Sequence, residues 1–276
     1  MVHRRIAGGL VVVTQPAHAW LSGQLARLWG NERFGSFEPH EDVCLAAEQH
    51  DCGWHEWELA PTLDVRTGLP HHFDEMPLRE HLRVWPTGVQ MIGGMSRYAG
   101  LLLCLHGLWL RERNPEPKDP VEQQAVRGFV ECQQLARDTL IEELRRDESY
   151  SPHCSEGIIA RNRALIATWD WLSLGLCMHS SGEWLATDAP DAGGRCTLRL
   201  TAEGDSGFGW RVTPWPFRED LVEVACEGRH LAGTFRDERA MRTALAAAPK
   251  LRLVFRLEPG TGPAPGCSHG ASIERP

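Results

Sequence analysis

Apolar residues recur at helical spacing through most of the first 180 positions, and beyond them alternation takes over. Leu10 to Val13 is a short β-branched run, read as a strand. Thr14-Gln15-Pro16 then supplies a helix entry with Thr14 as N-cap, and Ala17, Trp20, Leu21, Gln24, Leu25 and Leu28 keep helical spacing up to Gly30-Asn31. A second helix is predicted from Pro39, with Glu38, Glu41 and Asp42 complementing its dipole. Val43, Ala46, Ala47, His50 and Asp51 share its inner face, and Gly53 is read as a left-handed C-terminal cap.

Residues 54–86 read as loop with short helical pieces, because Pro61, Gly68, Pro70, Pro77 and Pro86 interrupt every longer pattern. Helical spacing returns over Ser96 to Leu110, Val121 to Arg146 and Glu156 to Met178, and the last of these is apolar almost all round after Ala164, as a central helix would be. Ser180 to Gly194 is small and polar. Alternating segments follow at Cys196 to Leu200, Gly209 to Val212, Leu221 to Ala225, His230 to Phe235 and Leu251 to Leu257, with one helix from Glu238 to Ala247. The expected fold class is therefore α+β: a helical core over residues 14–182 and an appended small, mainly antiparallel sheet over residues 183–258. The strand 10–13 is a candidate to join that sheet, since a lone strand needs a partner. Residues 259–276, rich in Gly, Pro and Ser, read as a disordered tail.

Composition narrows the function classes. With 276 residues, 42% hydrophobic and 24% charged, the chain can bury a sizeable core. No window approaches the roughly 20 apolar residues of a membrane span, and the first residues do not form a signal peptide. Twenty-nine Lys and Arg against 37 Asp and Glu leave a net charge of −8, with the basic residues scattered along the sequence. A duplex-binding surface, which needs clustered cations, is not expected. Nine Cys with no CxxC fit a reducing cytoplasm.

The 13 His ask for an explanation. Neighbouring His50 and Asp51 at a helix end can chelate one metal if other helices add nitrogen and oxygen donors. His18 on the first predicted helix and Asp170 on the central one lie on or beside apolar faces and are the further candidates. His106, inward beside Leu102 and Leu105, is a candidate second-metal ligand, phosphate-polarising group or proton donor. Glu56 and Glu58 follow the pair closely enough to activate water or orient a ligand histidine. Each has a structural counterpart: a capping pair for His50 and Asp51, a bonded core acid for Asp170, a satisfied core imidazole for His106, and solvated loop acids for Glu56 and Glu58. Trp54 and Trp57 either wall a pocket or plug a core. His55, His71, His72 and His81 form a looser histidine segment read as surface. Cys52 cannot bond His50 well from two positions away on one helix. Phosphate-loop, dinucleotide-fold, HExxH and GxSxG motifs are missing.

The order His18, then His50-Asp51, then Asp170 in Trp169-Asp170-Trp171-Leu172-Ser173 resembles the ligand pattern of the HD-domain metal-dependent phosphohydrolases. The stretches His50 to Trp54, Tyr98 to Gly107, Asp170 to Cys177 and Pro214 to Phe217 resemble an uncharacterised bacterial family, a domain of unknown function, over most of residues 6–258. The first resemblance implies a helical HD-like metal core in which His18, His50, Asp51 and Asp170 hold a divalent ion (Mn, Mg, Co, Zn or Fe). His106 would then act on charge or the leaving group, and the substrate would be a nucleotide or other small phosphate ester. A non-catalytic ligand- or metal-binding module and a di-iron oxygenase of HD-like fold are the competing expectations.

Overall fold

A computed structural model describes residues 1–204 and 207–261. The chain opens with strands β1 (Val2–Ile6) and β2 (Gly9–Val13), followed by helices α1 (Gln15–Leu28) and α2 (His40–Gln49). A 3-10 turn at Cys52–Trp54 leads into the short α3 (His55–Leu59) and a two-stranded hairpin of β3 (Leu63–Asp64) and β4 (Leu69–Pro70). Four long helices come next: α4 (Leu78–Gly93), α5 (Arg97–Arg113), α6 (Pro120–Arg146) and α7 (Glu156–Met178). The chain then forms β5 (Glu183–Asp191), β6 (Gly194–Glu203), β7 (Gly209–Thr213), β8 (Val222–Leu231), α8 (Glu238–Ala247) and β9 (Lys250–Pro259).

The sheet corrects the expected fold class. It has seven strands in the order β1-β2-β8-β9-β7-β6-β5, all pairs antiparallel except β7 with β9. This is a large curled sheet whose face carries the helices, rather than a helical HD-like core with a small sheet appended. α1 packs against β8, and α7 packs against both β5 and β1. One apolar cluster accordingly runs from Leu21, Leu25 and Trp169 on the helices to Val13, Leu198, Trp210 and Phe255 on the strands.

The two strands absent from the pattern, β1 and β5, are the two edges of the sheet. Edge strands carry charge that blocks further pairing, so their sequences do not alternate cleanly. β1 reads VHRRI, yet Arg4 is 2% exposed: its guanidinium donates to the carbonyls of Leu176 (2.9 Å), His179 (2.7 Å) and Gly207 (2.7 Å), which satisfies a buried cation without a carboxylate. The run Leu10–Val13 sits inside the sheet, with Val11 opposite His230 on β8. The segment Leu221 to Ala225, from Val222 on, and the first two residues of His230 to Phe235 belong to one strand, β8, which ends at Leu231, so residues 232–235 are not the strand expected there.

Helix termini follow their chemistry. Thr14 caps α1 by accepting from the Ala17 N–H, Ser96 does the same for α5 through Ala99, and Ser155 for α7 through Ile158. Pro86, read as a breaker, lies inside α4. Leu82, Val84, Trp85, Val89 and Ile92 are buried along that helix, and this burial outweighs the hydrogen bond that proline cannot make. From residue 262 on, the tail lies outside the described residues.

His3 on β1 gives a prediction of its own. Its Nε2 is buried with no hydrogen-bond partner, and its ring stands edge-on to His72 at 5.0 Å. Burial, reinforced by His72, pushes its pKa down to about 3. The folded protein therefore keeps His3 neutral where the unfolded chain takes up a proton, below about pH 6.5. Its contribution is intact above that pH and is lost as pH falls toward 3. In urea titrations at pH 7 and pH 5, wild type is expected to lose more stability than His3→Leu over the same interval; equal losses would contradict the assignment.

Candidate metal centre

Five buried residues bring their side chains together where α1, the end of α2, α5 and α7 meet: His18, His50, Asp51, His106 and Asp170. Buried charges at this density must be paired or hold a cation. His18 follows from the capped first turn of α1. His50 ends α2, and Asp51 enters the 3-10 turn, so the pair lies at a helix exit rather than within the helix. Gly53 does not act as the left-handed cap expected of it. A Cβ there would stand 2.0 Å from the Val84 carbonyl oxygen, so glycine is required because α4 packs directly on this turn.

The hydrogen bonds fix which nitrogen of each ring faces the centre. His50 Nδ1 lies 2.8 Å from the Ala47 carbonyl and so donates to it, which directs Nε2 toward Asp170 Oδ1 at 3.4 Å and Asp51 Oδ2 at 3.6 Å. The Ser173 hydroxyl donates to the Asp170 carbonyl (2.8 Å), so its oxygen accepts from His18 Nδ1 (2.8 Å). His18 Nε2 is thereby turned to Asp51 Oδ2 at 2.7 Å, a contact that requires a proton or a cation between them. Gln15 Nε2 also donates to Asp51 Oδ2 (3.0 Å). His106 Nε2 stands 3.3 Å from Asp170 Oδ2.

The ion-pair distances of His50 and His106 are not aligned hydrogen bonds: His50 Nε2 and both nitrogens of His106 lack a partner. Unpaired buried nitrogens are costly, and their spacing is informative. Donor atoms held at about 2.0 to 2.2 Å from one ion stand roughly 3 to 3.5 Å from each other. The ligand atoms of His18, His50 and Asp51, and those of His50, His106 and Asp170, each lie within 4.8 Å of one another, with His50 common to both groups. The donor set therefore fits one divalent ion or an adjacent pair.

Electrostatics agree with this. Burial pushes Asp170 up, but His50 and His106 outweigh it and hold the carboxyl well below the usual range. Burial alone would lower His50; Asp51 and Asp170 reverse this and raise it to about 9, so the same two carboxylates that favour a proton on His50 favour a metal cation in its place, and binding would release that proton. His106 is lowered by burial despite Asp170, which leaves it neutral as a ligand must be. Its ring lies between Trp85 (5.6 Å, edge-on) and Trp109 (5.7 Å, stacked).

Asp51, Asp170 and Gln15 open into a cavity of about 350 Å³ walled by Trp54, Trp85, Trp109 and Trp171. Trp57 packs with Trp54 and Trp85 in a second apolar cluster without itself lining the cavity. The cavity wall also includes His81.

Glu56 and Glu58 are not brought to the cluster. Glu56 is exposed and pairs with Arg83 at 2.9 Å. Glu58 is buried and accepts the Gln15 N–H at 2.9 and 3.0 Å, with the Met1 nitrogen 3.3 Å away; burial raises its carboxyl to about 7. It fixes the start of α1, the helix that carries His18. The residues sequence reasoning missed are Gln15 and Ser173. The only signal for either was its place within a turn of a candidate ligand. Cys52 is held as a thiol, its pKa raised to about 11 by burial and Asp51, and the eight described cysteines are free. Among the described residues no helix is long and apolar enough to cross a membrane.

No curated protein and no solved structure matches the chain. Residues 1–233 match the model of a family described as proteins of unknown function, DUF3891, and the chain belongs to that family.

Proposed function

We propose that this protein is a divalent-metal-dependent phosphohydrolase acting on a small phosphorylated molecule. The observation that carries the reading is the set of unpaired imidazole nitrogens, His50 Nε2 and His106 Nε2, aimed at an ionised Asp170 that opens into a cavity. His18, His50, Asp51, His106 and Asp170 would hold the ion. The ligand order His18, His50-Asp51, Asp170 supports hydrolytic chemistry through its resemblance to the HD-domain enzymes. A bound divalent ion supplies a water of lowered pKa and polarises a phosphoryl oxygen.

The protein's own groups then have defined tasks. Ser173 and the Ala47 carbonyl keep His18 and His50 in the tautomers that face the centre. Gln15 holds Asp51 from the cavity side and has an unpaired Oε1 to offer a water. The tryptophan walls exclude bulk solvent around the carboxylates. In the reaction, the water oxygen forms a new bond to phosphorus, the ester P–O bond breaks, and the leaving oxygen takes the proton released by the water.

The test is hydrolysis of p-nitrophenyl phosphate and of a nucleoside monophosphate set by protein loaded with Mn, Co, Zn or Fe. Turnover that is abolished by chelation and by Asp51→Ala, with circular dichroism unchanged, is the expected result. Stoichiometric metal with no turnover on any ester, or two irons with oxygen consumption, would overturn it.

A further inference from the structure

The basic residues that look scattered in the sequence are not scattered in the cavity. Arg113 on α5, Arg163 on α7 and Arg195 on β6 all line it. We propose that these three arginines form a second subsite that binds an anionic group, a phosphate or carboxylate, at the far end of the ligand. The ligand would be elongated, with an apolar body lying along the tryptophan walls. The proposal deepens the metal-centre reading and rests on it for the identity of the opposite end.

Three features support the subsite. First, both helices set the distance. Arg163 and Asp170 are seven residues apart on α7, as are His106 and Arg113 on α5, two turns or about 10 Å of rise in each case. Ala167, Asp170, Trp171 and Leu174 place the same face of α7 along the cavity. Second, the cations share one platform. The guanidinium of Arg113 lies 4.0 Å and that of Arg163 5.1 Å from the centre of the Trp109 ring, whose plane also stacks with His106. The metal centre and the arginines are thus joined by a single indole.

Third, two of the three cations lack a paired carboxylate among the described residues. Among the described residues neither Arg113 nor Arg163 has a carboxylate within ion-pair distance, whereas Arg111 is occupied by the Asn114 and Pro115 carbonyls and Glu116. Burial first, then Arg195 and Arg113, lowers Arg163 to about 10, with Glu112 and Asp188 only partly offsetting. Asp188 comes from a bulge in which Thr187 and Asp188 stand between the pairs Ala186–Leu198 and Ala189–Cys196. It holds a positive φ of 61°, a conformation that non-glycine residues adopt at a cost. Both bulge residues line the cavity.

The experiment is calorimetric titration of the full chain with two probes of equal alkyl length: an α,ω-bisphosphonate whose ends stand roughly 10 Å apart, and the corresponding monophosphonate. With manganese-loaded protein the bisphosphonate is expected to bind about tenfold tighter or better, as charge-assisted arginine contacts provide. Arg163→Gln and Arg113→Gln should each remove most of that preference at unchanged manganese content, and Arg163→Lys should retain part of it. A preference that survives chelation supports the arginine subsite and counts against the metal centre. Equal binding of the two probes by wild type, or an undiminished preference in the folded Gln variants, would overturn the proposal. If the Gln variants do not fold, the wild-type ratio and its collapse in high salt decide the matter, since an arginine subsite requires both.

Discussion

Asp170→Asn is expected to eliminate retained metal, with affinity falling by more than about 100-fold, the upper end of what loss of an outer-shell partner alone costs. The reason is geometric. Among the described residues, Asp170 is the carboxylate within reach of both His50 (3.4 Å) and His106 (3.3 Å), and His18 approaches it at 4.0 Å. Asparagine keeps the volume and one oxygen but removes the charge that holds a buried cation against desolvation. The side chain is close to isosteric, so the packing of α7 against α1 and α5 should persist. Metal content after dialysis, read beside circular dichroism, checks this. Retention of a full equivalent of metal by a folded Asp170→Asn variant would show that Asp170 is a core acid and not a ligand.

Trp29→Ala is expected to cost about 3 to 5 kcal/mol of stability, the range for deleting a large buried aromatic. Trp29 is fully buried where α1 ends, and its ring meets Phe34 (5.2 Å), Trp169 (5.7 Å) and Phe217 (5.8 Å), all edge-on. It joins three parts of the molecule: the loop after α1, the middle of α7, and the Trp215-Pro216-Phe217 corner, with which it also forms an isolated β-bridge. The Asn31 amide bonds the carbonyls of Trp215 and Phe217, and the Gly30 N–H bonds that of Pro216, so the backbone cannot close over a cavity left by the indole. Loss of the unpaired indole N–H offsets a small part of the cost. Chemical denaturation measures the change directly. A loss below about 1 kcal/mol would mean that this junction does not hold the sheet to the helices.

The helices were legible because their signals are local. Thr14 and Ser96 stand where caps belong, and the apolar spacing of α1, α2, α5 and α7 emerges without tertiary information. The sheet was underestimated because its extent depends on edge strands, and β1 is stabilised by Arg4 bonds to carbonyls more than 170 residues away. The order His18, His50-Asp51 and Asp170 was readable, since each residue flanks an apolar helix face. Glu58 looked available because it follows the His-Asp pair, but its partner is the first N–H of α1. The arginine trio could not be seen from sequence: its members come from two helices and a strand, and only packing around Trp109 and the cavity assembles them.

The central claim is that the His-Asp cluster is a metal centre, and anomalous diffraction from crystals of the manganese-loaded protein tests it most directly. The expected result is a peak among His50 Nε2, His106 Nε2 and the Asp170 carboxylate, or among His18, His50 and Asp51, with donors at about 2.0 to 2.2 Å. No peak at this cluster under saturating metal, with the imidazoles and carboxylates bonded only to one another, would contradict the account.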